Sequence, residues 1–300
     1  MRAEYAVAVS YFRQTGNMTT QHETVTLPRT AMIGVGSMGG AILAGLRSPS
    51  VDIARPITVT TNSAASAAEF EGADDIVAYA AETEPDANRI AVRDAELVIL
   101  AVKPWMVADV AKGIAADIAP GTIVVSVAAG VSCAQIEAEL PGAQVVRAMP
   151  NTPSHLGRGV TGVAGGASAS AEAVETVRGL FETVGDVIVV REDQINDVAA
   201  VSGSGPAYVF LYVEEMTAAA IRRGFTPEQA RVLVNGTVSG SAELLVQSGE
   251  EPSQLRRNVT SPKGTTEQAV IVLQEAGWGE LFDSALAANV RRSEELERGE

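Results

Sequence analysis

Residues 31–40 read AMIGVGSMGG, and this stretch decides the fold. An apolar run ending at Ile33 reads as a buried strand, and Gly34-x-Gly36-x-x-Gly39 follows it directly. The small and apolar residues Gly40, Ala41, Ile42, Leu43 and Ala44 then read as a helix. Each glycine has its own task in such a strand–turn–helix. Gly34 makes the sharp turn, Gly36 lets the backbone approach a pyrophosphate, and Gly39 lets the helix pack close on the strand. The helix start offers unpaired N–H groups and a partial positive charge to phosphates. The expected ligand is therefore a dinucleotide.

Outward from this loop, strand and helix alternate as far as residue 192. Residues 30–35, 56–61, 95–102 and 122–127 read as strands, with shorter candidates at 143–147 and 187–190. The runs AELVILAV and TIVVSV are apolar throughout, the pattern of parallel strands covered on both faces. From residue 193 the texture is helical. Ser204-Gly205-Pro206 opens one helix, Thr226-Pro227-Glu228-Gln229 is a capping box for a second, and further helices start near Thr265 and at 279. The expected architecture is α/β. A doubly wound Rossmann-type sheet spans 30–192, and an all-helical domain for substrate binding and dimerisation spans 193–300. Residues 1–29 are expected to form a disordered extension, and the second methionine, Met18, is a conceivable start.

Charge and composition narrow the partners. A net charge of −15 repels nucleic acid and anionic membranes, so phosphate must be captured by a local site. No apolar run approaches the roughly 18–20 residues of a membrane span, and no secretory signal is read, so the expected location is the cytoplasm. The single cysteine, Cys133, reads as a packed thiol. The two histidines, His22 and His155, lie too far apart in sequence to suggest a zinc site, and no metal is expected.

In a doubly wound sheet the ligand lies beyond the C-terminal strand ends. There the sequence places Lys103-Pro104-Trp105, Ala128-Ala129-Gly130 and the rigid turn Met149-Pro150-Asn151-Thr152-Pro153. Lys103 reads equally as surface decoration or as a residue above the cofactor. The helical half adds two glycine–hydroxyl clusters, SGSGP at 202–206 and NVTSPKGTT at 258–266. Both suit a carboxylate at a helix start, or simple capping. Between Thr260 and Thr266 there is no His, Asp or Glu to act as a general acid.

Six ordered motifs carry a resemblance to a known family: IGVGSMG, AVKP at 101–104, SVAAGVS at 126–132, RAMPNTP at 147–153, VSGSGPAY at 201–208 and TSPKGTTEQA at 260–269. Over residues 31–297 the chain closely resembles the pyrroline-5-carboxylate reductases. The resemblance implies NAD(P)H-dependent reduction of the cyclic imine (S)-1-pyrroline-5-carboxylate to L-proline. It implies an intertwined dimer, often assembled into a decamer. Carried over by motif, the cofactor contacts are Ile33, Gly34, Val35, Gly36, Ser37, Met38, Gly39, Asn62, Asn88, Ala101, Val102, Lys103, Pro104, Val127, Ala128, Ala129 and Asn258. The substrate contacts are Ser204, Val259, Gly264, Thr265 and Thr266, with backbone N–H groups of 264–266 on the carboxylate. The Thr266 hydroxyl is the implied catalytic group, bonded to the ring nitrogen.

Three departures stand out: Lys263 in place of a usual glycine, Ala200 in place of a threonine, and no arginine after Asn62. The loop Thr60-Thr61-Asn62-Ser63 offers three hydroxyls and an amide but no carboxylate against a ribose 2′-phosphate, so NADPH is expected to be preferred. Two other readings remain at this point. A 3-hydroxyacid dehydrogenase usually has a lysine on the first long C-terminal helix, absent from 206–221 here. A non-catalytic dinucleotide-binding protein would not need the intact TSPKGTT and SGSGPAY segments.

Overall fold

A computed structural model describes residues 24–300. The extension at 1–23, with Met18 and His22, lies outside the described residues. The last part of the expected extension is ordered. Strand β1 (Val25–Leu27) pairs in parallel with β3 (Val51–Ile53), and Leu27 is buried in the core beside Val51 and Ile53. Alternation in VTL, with an apolar residue at each end, is enough to seat this short strand.

The main sheet has eight strands: β2 (Thr30–Ile33), β4 (Ile57–Thr61), β5 (Ile76–Ala80), β6 (Leu97–Leu100), β7 (Ile123–Ser126), β8 (Gln144–Met149), β9 (Gly159–Gly165) and β10 (Gly185–Val189). Their order is β10-β9-β8-β7-β6-β2-β4-β5. From β2 the chain winds outward through β4 and β5, then returns to lay β6, β7 and β8 on the other side. The reversal falls between β2 and β6, where their C-terminal ends open a crevice. Helix α1 (Ser37–Leu46) lies on one face with Ile42 and Leu46 in the core around Met32, Ile99 and Phe181. The other face is covered by α3 (Ala87–Val92), α4 (Val107–Ile114) and α5 (Cys133–Glu139) around Ile33, Val98 and Val124. Two buried faces explain the unbroken apolar strands.

Two strands of the main sheet were not expected from sequence, and one changes the topology. The sheet is not parallel throughout: β9 runs antiparallel to β8. The RAMPNTP turn and a short 3-10 helix at Thr152–Leu156 return the chain at once, and so short a connection cannot hold a crossover helix. The other unexpected strand, β5, lies at the opposite edge. Short helices at Ala64–Ala68 (α2) and Ile195–Val198 (α7) and the longer Ala171–Glu182 (α6) complete this half. Buried Ile195, Val198 and Ala199 pack on Met149 and Ala164, so the sheet's packing continues past residue 192.

The remaining chain is helical: α8 (Gly205–Arg222), α9 (Pro227–Ser248), α10 (Pro252–Asn258), α11 (Thr265–Glu275) and α12 (Trp278–Glu297). The Thr226–Gln229 capping box forms as expected, and α10 is an addition to the sequence reading. Helix α8 is apolar almost all round, and it is bare. Phe210 is 66% exposed and Leu211 57%, and Val209, Tyr212 and Met216 are exposed beside them. At 100° per residue these side chains encircle the helix, so one packed neighbour does not bury them. Among the described residues no helix is long and apolar enough to cross a membrane, and no group of His, Cys, Asp and Glu could hold a metal ion.

Candidate active site: a dinucleotide cradle and an interdomain cleft

The ends of β2, β6 and β7 are laced together where the crevice opens. Ala101 N–H donates to the Ile33 carbonyl (2.8 Å), Val127 N–H to that of Leu100 (3.1 Å), and Gly34 N–H to that of Thr60 (3.0 Å). Gly34 has φ +93°, and a Cβ there would lie 2.8 Å from the Ala101 carbonyl oxygen. A Cβ on Gly39 would lie 2.4 Å from the Gly34 carbonyl oxygen. Around Gly36 a Cβ would meet nothing within 4 Å. Two glycines are thus required by the protein's own packing, and the third faces open space in front of the helix start. That division of labour fits a pyrophosphate, and the residues present fit a dinucleotide.

Other expected cofactor residues gather round this cradle. Val35 and Met38 pack against the core below, while Ser37 is exposed. Ala101, Val102, exposed Lys103 and Pro104 form the turn after β6, and Val127, buried Ala128 and Ala129 the turn after β7. The side-chain oxygen of Asn88 accepts from Thr60 Oγ1 (2.8 Å), which fixes it at the end of β4, and exposed Asn62 follows that strand. Arg55 lies at the opposite end of β4, paired with Asp75 (3.0 Å).

Two groups at the cradle were not anticipated. His155 Nε2 lies 3.1 Å from Ser37 Oγ, so the turn after RAMPNTP folds over the glycine loop. The carboxylate of Glu82 accepts from Ala64 N–H (2.9 Å) just beyond Asn62. The expectation of no carboxylate near this loop is therefore corrected. Glu82 follows the unrecognised strand β5 and is far from the loop in sequence. The three hydroxyls are also less free than expected. Thr60 donates to Asn88 on α3, Thr61 Oγ1 to the Ser63 carbonyl (3.0 Å) and Ser63 Oγ to Ser66 Oγ on α2 (3.1 Å).

Between the two halves lies a cleft of about 350 Å³ lined by Ala129, Met149, Gly203, Ser204, Asn289 and Arg292, among others. Asn289 Nδ2 donates to Ser204 Oγ (2.8 Å), which ties the SGSGP segment to α12. Below it, Arg147 of β8 is almost fully buried. Its guanidinium is 3.0 Å from a Glu297 oxygen, 3.6 Å from Glu192 and 3.4 Å from Asn196 Oδ1. The Glu297 approach is not aligned for a hydrogen bond, so it acts as a charge contact. Cys133, nearby, donates its N–H to Glu192 (2.6 Å) and is fully buried. Burial, then the Glu192 charge, pushes its thiol well above the usual range, which leaves it inert as a nucleophile.

The structure does not bring all the expected site residues together in one chain. Asn258, Val259, Gly264, Thr265 and Thr266 lie on the helical half, and none lines the cleft. Asn258 is held by Gln254 Nε2 (2.7 Å) and donates to Glu250 (3.3 Å). Val259, Thr265 and Thr266 are exposed. The turn before α11 is tight: Lys263 has φ +59°, and a Cβ on Gly264 would lie 2.4 Å from Ser261 Oγ. Lys263 thus takes the left-handed conformation that glycine adopts freely, at a cost of about 1–2 kcal/mol. Its N–H is held by the Glu267 carboxylate (2.7 Å). The Gly264 N–H is spent on the Ser261 carbonyl (2.9 Å), so it is not the free donor that was expected. No side chain caps α11.

Known proteins share this layout. Residues 192–296 match the family model for pyrroline-5-carboxylate reductase dimerisation, and 29–130 match NADP oxidoreductase, coenzyme F420-dependent. The pyrroline-5-carboxylate reductase of Pseudomonas aeruginosa is 40% identical over 91% of this chain and 98% of its own. That of Escherichia coli is 35% identical over 90% and 98%. The structure of the Coxiella burnetii pyrroline-5-carboxylate reductase superposes with a TM-score of 0.80 at 36% identity, covering 89% of this chain and 98% of that one. The fold is shared with the Plasmodium falciparum pyrroline carboxylate reductase with NADP bound, at a TM-score of 0.75 and 23% identity over 90% and 98%. With identity of this order spread over nearly the whole length of both chains, this chain belongs to the pyrroline-5-carboxylate reductase family.

Proposed function

We propose that the protein reduces the C=N bond of (S)-1-pyrroline-5-carboxylate to give L-proline, the last step of proline biosynthesis. It uses NADPH and accepts NADH. The observation that carries this reading is the uncapped TSPKGTT turn, in a family member whose dinucleotide cradle is intact. Bound reduced nicotinamide supplies a hydride for the imine carbon. The ring nitrogen takes a proton, and the new C–H and N–H bonds replace the C=N π bond. Thr265 and Thr266 N–H groups hold the substrate carboxylate, and the Thr266 hydroxyl hydrogen-bonds the ring nitrogen. A threonine hydroxyl is too weak an acid to drive the reaction, so the proton comes from solvent directly or through a Thr266–water relay. Alignment then supplies several kcal/mol of the barrier reduction.

The exposed TSPKGTT turn and the bare α8 belong to one explanation. A second copy covers α8 and carries its own Thr266 to this chain's cradle, so each active site is shared across the dimer. Dimers assemble further into a decamer, as the resemblance implies.

Purified dimer with no added metal is expected to oxidise NADPH or NADH, followed at 340 nm, when pyrroline-5-carboxylate is added. Inactivity of folded protein with both cofactors overturns the proposal. Thr266→Val, which keeps the shape and removes the hydroxyl, is expected to lower kcat about tenfold or more, because one such hydrogen bond is worth about 1–3 kcal/mol. An unchanged kcat would mean that Thr266 only starts α11.

A further inference from the structure

The adenosine end of the cradle is unlike the loop that the sequence suggests. Beyond the β4–β5 pairing the backbone ladder continues: Ala81 N–H donates to the Thr61 carbonyl (2.9 Å) and Glu82 N–H to that of Asn62 (3.2 Å). Glu82 is thereby held level with Asn62, and its carboxylate reaches Ala64 N–H. Its place is set by two backbone contacts and one side-chain contact rather than by a free side chain. An acid at the end of the strand next to the glycine-loop strand is where dinucleotide-binding folds hold the ribose 2′ position. Here the neighbouring strand supplies that acid.

The hydroxyls that could favour a phosphate there are already engaged. The Thr60 hydroxyl donates to Asn88, that of Thr61 to the Ser63 carbonyl and that of Ser63 to Ser66. Arg55 is at the far end of the strand on Asp75, and Glu82 forms no ion pair among the described residues. A 2′-phosphate entering this end meets a carboxylate with no neutralising cation, in a chain of net charge −15.

We propose that Glu82 is a selectivity residue for the cofactor. Its carboxylate accepts from a free ribose 2′-hydroxyl and repels a 2′-phosphate, which narrows the advantage of NADPH and keeps NADH usable. The inference rests on the dinucleotide reading above.

The test is equilibrium binding by calorimetry of NADP⁺ and NAD⁺ to the wild-type protein, Glu82→Gln and Glu84→Gln. The amide of Glu82→Gln keeps an oxygen for Ala64 N–H and removes the charge. Glu84, whose carboxylate only accepts from Asp86 N–H, controls for the change in net charge. The expected result for Glu82→Gln is a ratio of NAD⁺ to NADP⁺ dissociation constants raised about tenfold, as expected for about 1.4 kcal/mol of relieved repulsion. NADP⁺ binds more tightly and NAD⁺ is unchanged or weaker, while Glu84→Gln leaves the ratio within about twofold. Equal changes for both dinucleotides, no change, or an equal shift in Glu84→Gln overturns the role of Glu82. Failure of the wild-type protein to bind either dinucleotide overturns the dinucleotide reading, and this inference with it.

Discussion

Leu211→Glu is expected to turn the dimer into a monomer and to lower reductase turnover about a hundredfold or more. Leu211 is 57% exposed in one chain, in the middle of the apolar girdle on α8. A helix apolar on all sides needs an interface of the obligate kind, roughly 2,000 Å² or more. A carboxylate in its centre must be desolvated without a partner, which costs several kcal/mol. Thr266 sits outside the cleft of its own chain, so on the proposed shared site activity is lost when the dimer dissociates. Separating it from the partner's cradle removes an aligned group, and misplacement alone costs about 10²-fold. Light scattering gives the mass, and far-UV circular dichroism shows whether the helices persist. NADP⁺ binding should survive within a few-fold, since the glycine loop, the start of α1 and the turns after β4, β6 and β7 all belong to the sheet half of one chain. A monomer with full turnover would show the active site to be complete in one chain, and a wild-type monomer at micromolar concentration would remove the dimer altogether.

Arg147→Met is expected to destabilise the protein by about 3 kcal/mol and to lower Tm by roughly 6–12 °C. Removing one partner of a buried ion pair costs about 3–5 kcal/mol, because the other charge is left without compensation. The low end applies here: Glu192 and Glu297 keep 31% and 24% of their side chains exposed, so water recovers part of the loss. The conversion to temperature follows from about 2–4 °C per kcal/mol for large domains. Glu297→Gln in the Arg147→Met background should restore part of the stability, because it removes the orphaned charge. A shift under about 2 °C for Arg147→Met would show that the cluster contributes little. The contact ties β8 to the end of α12, so its loss should also loosen the cleft around Ser204.

What the sequence determined by itself was local. Three glycines within six residues encode the cradle, because each acts on atoms a few positions away or on the next strand of an obligatory crossover. The capping box at Thr226 is closed over three residues, and it forms as its sequence dictates. Unbroken apolar strands imply a sheet covered on both sides whatever the later chain does. Ordered motifs carried the family as well.

Tertiary structure decided the rest, because the partners are far apart in the chain or on another chain. The strand IVAYA is too short and too mixed to announce itself, and without it Glu82 has no place at the ribose end. The direction of β9 follows from a connection too short for a helix. Lys263 can occupy a glycine's conformation only because Glu267 and the Ser261 turn hold it there. Arg147 meets Glu297 only after the last helix has docked on the sheet. Side chains such as Phe210 and Leu211 state that they must be buried, but burial needs a surface, and one chain does not supply it.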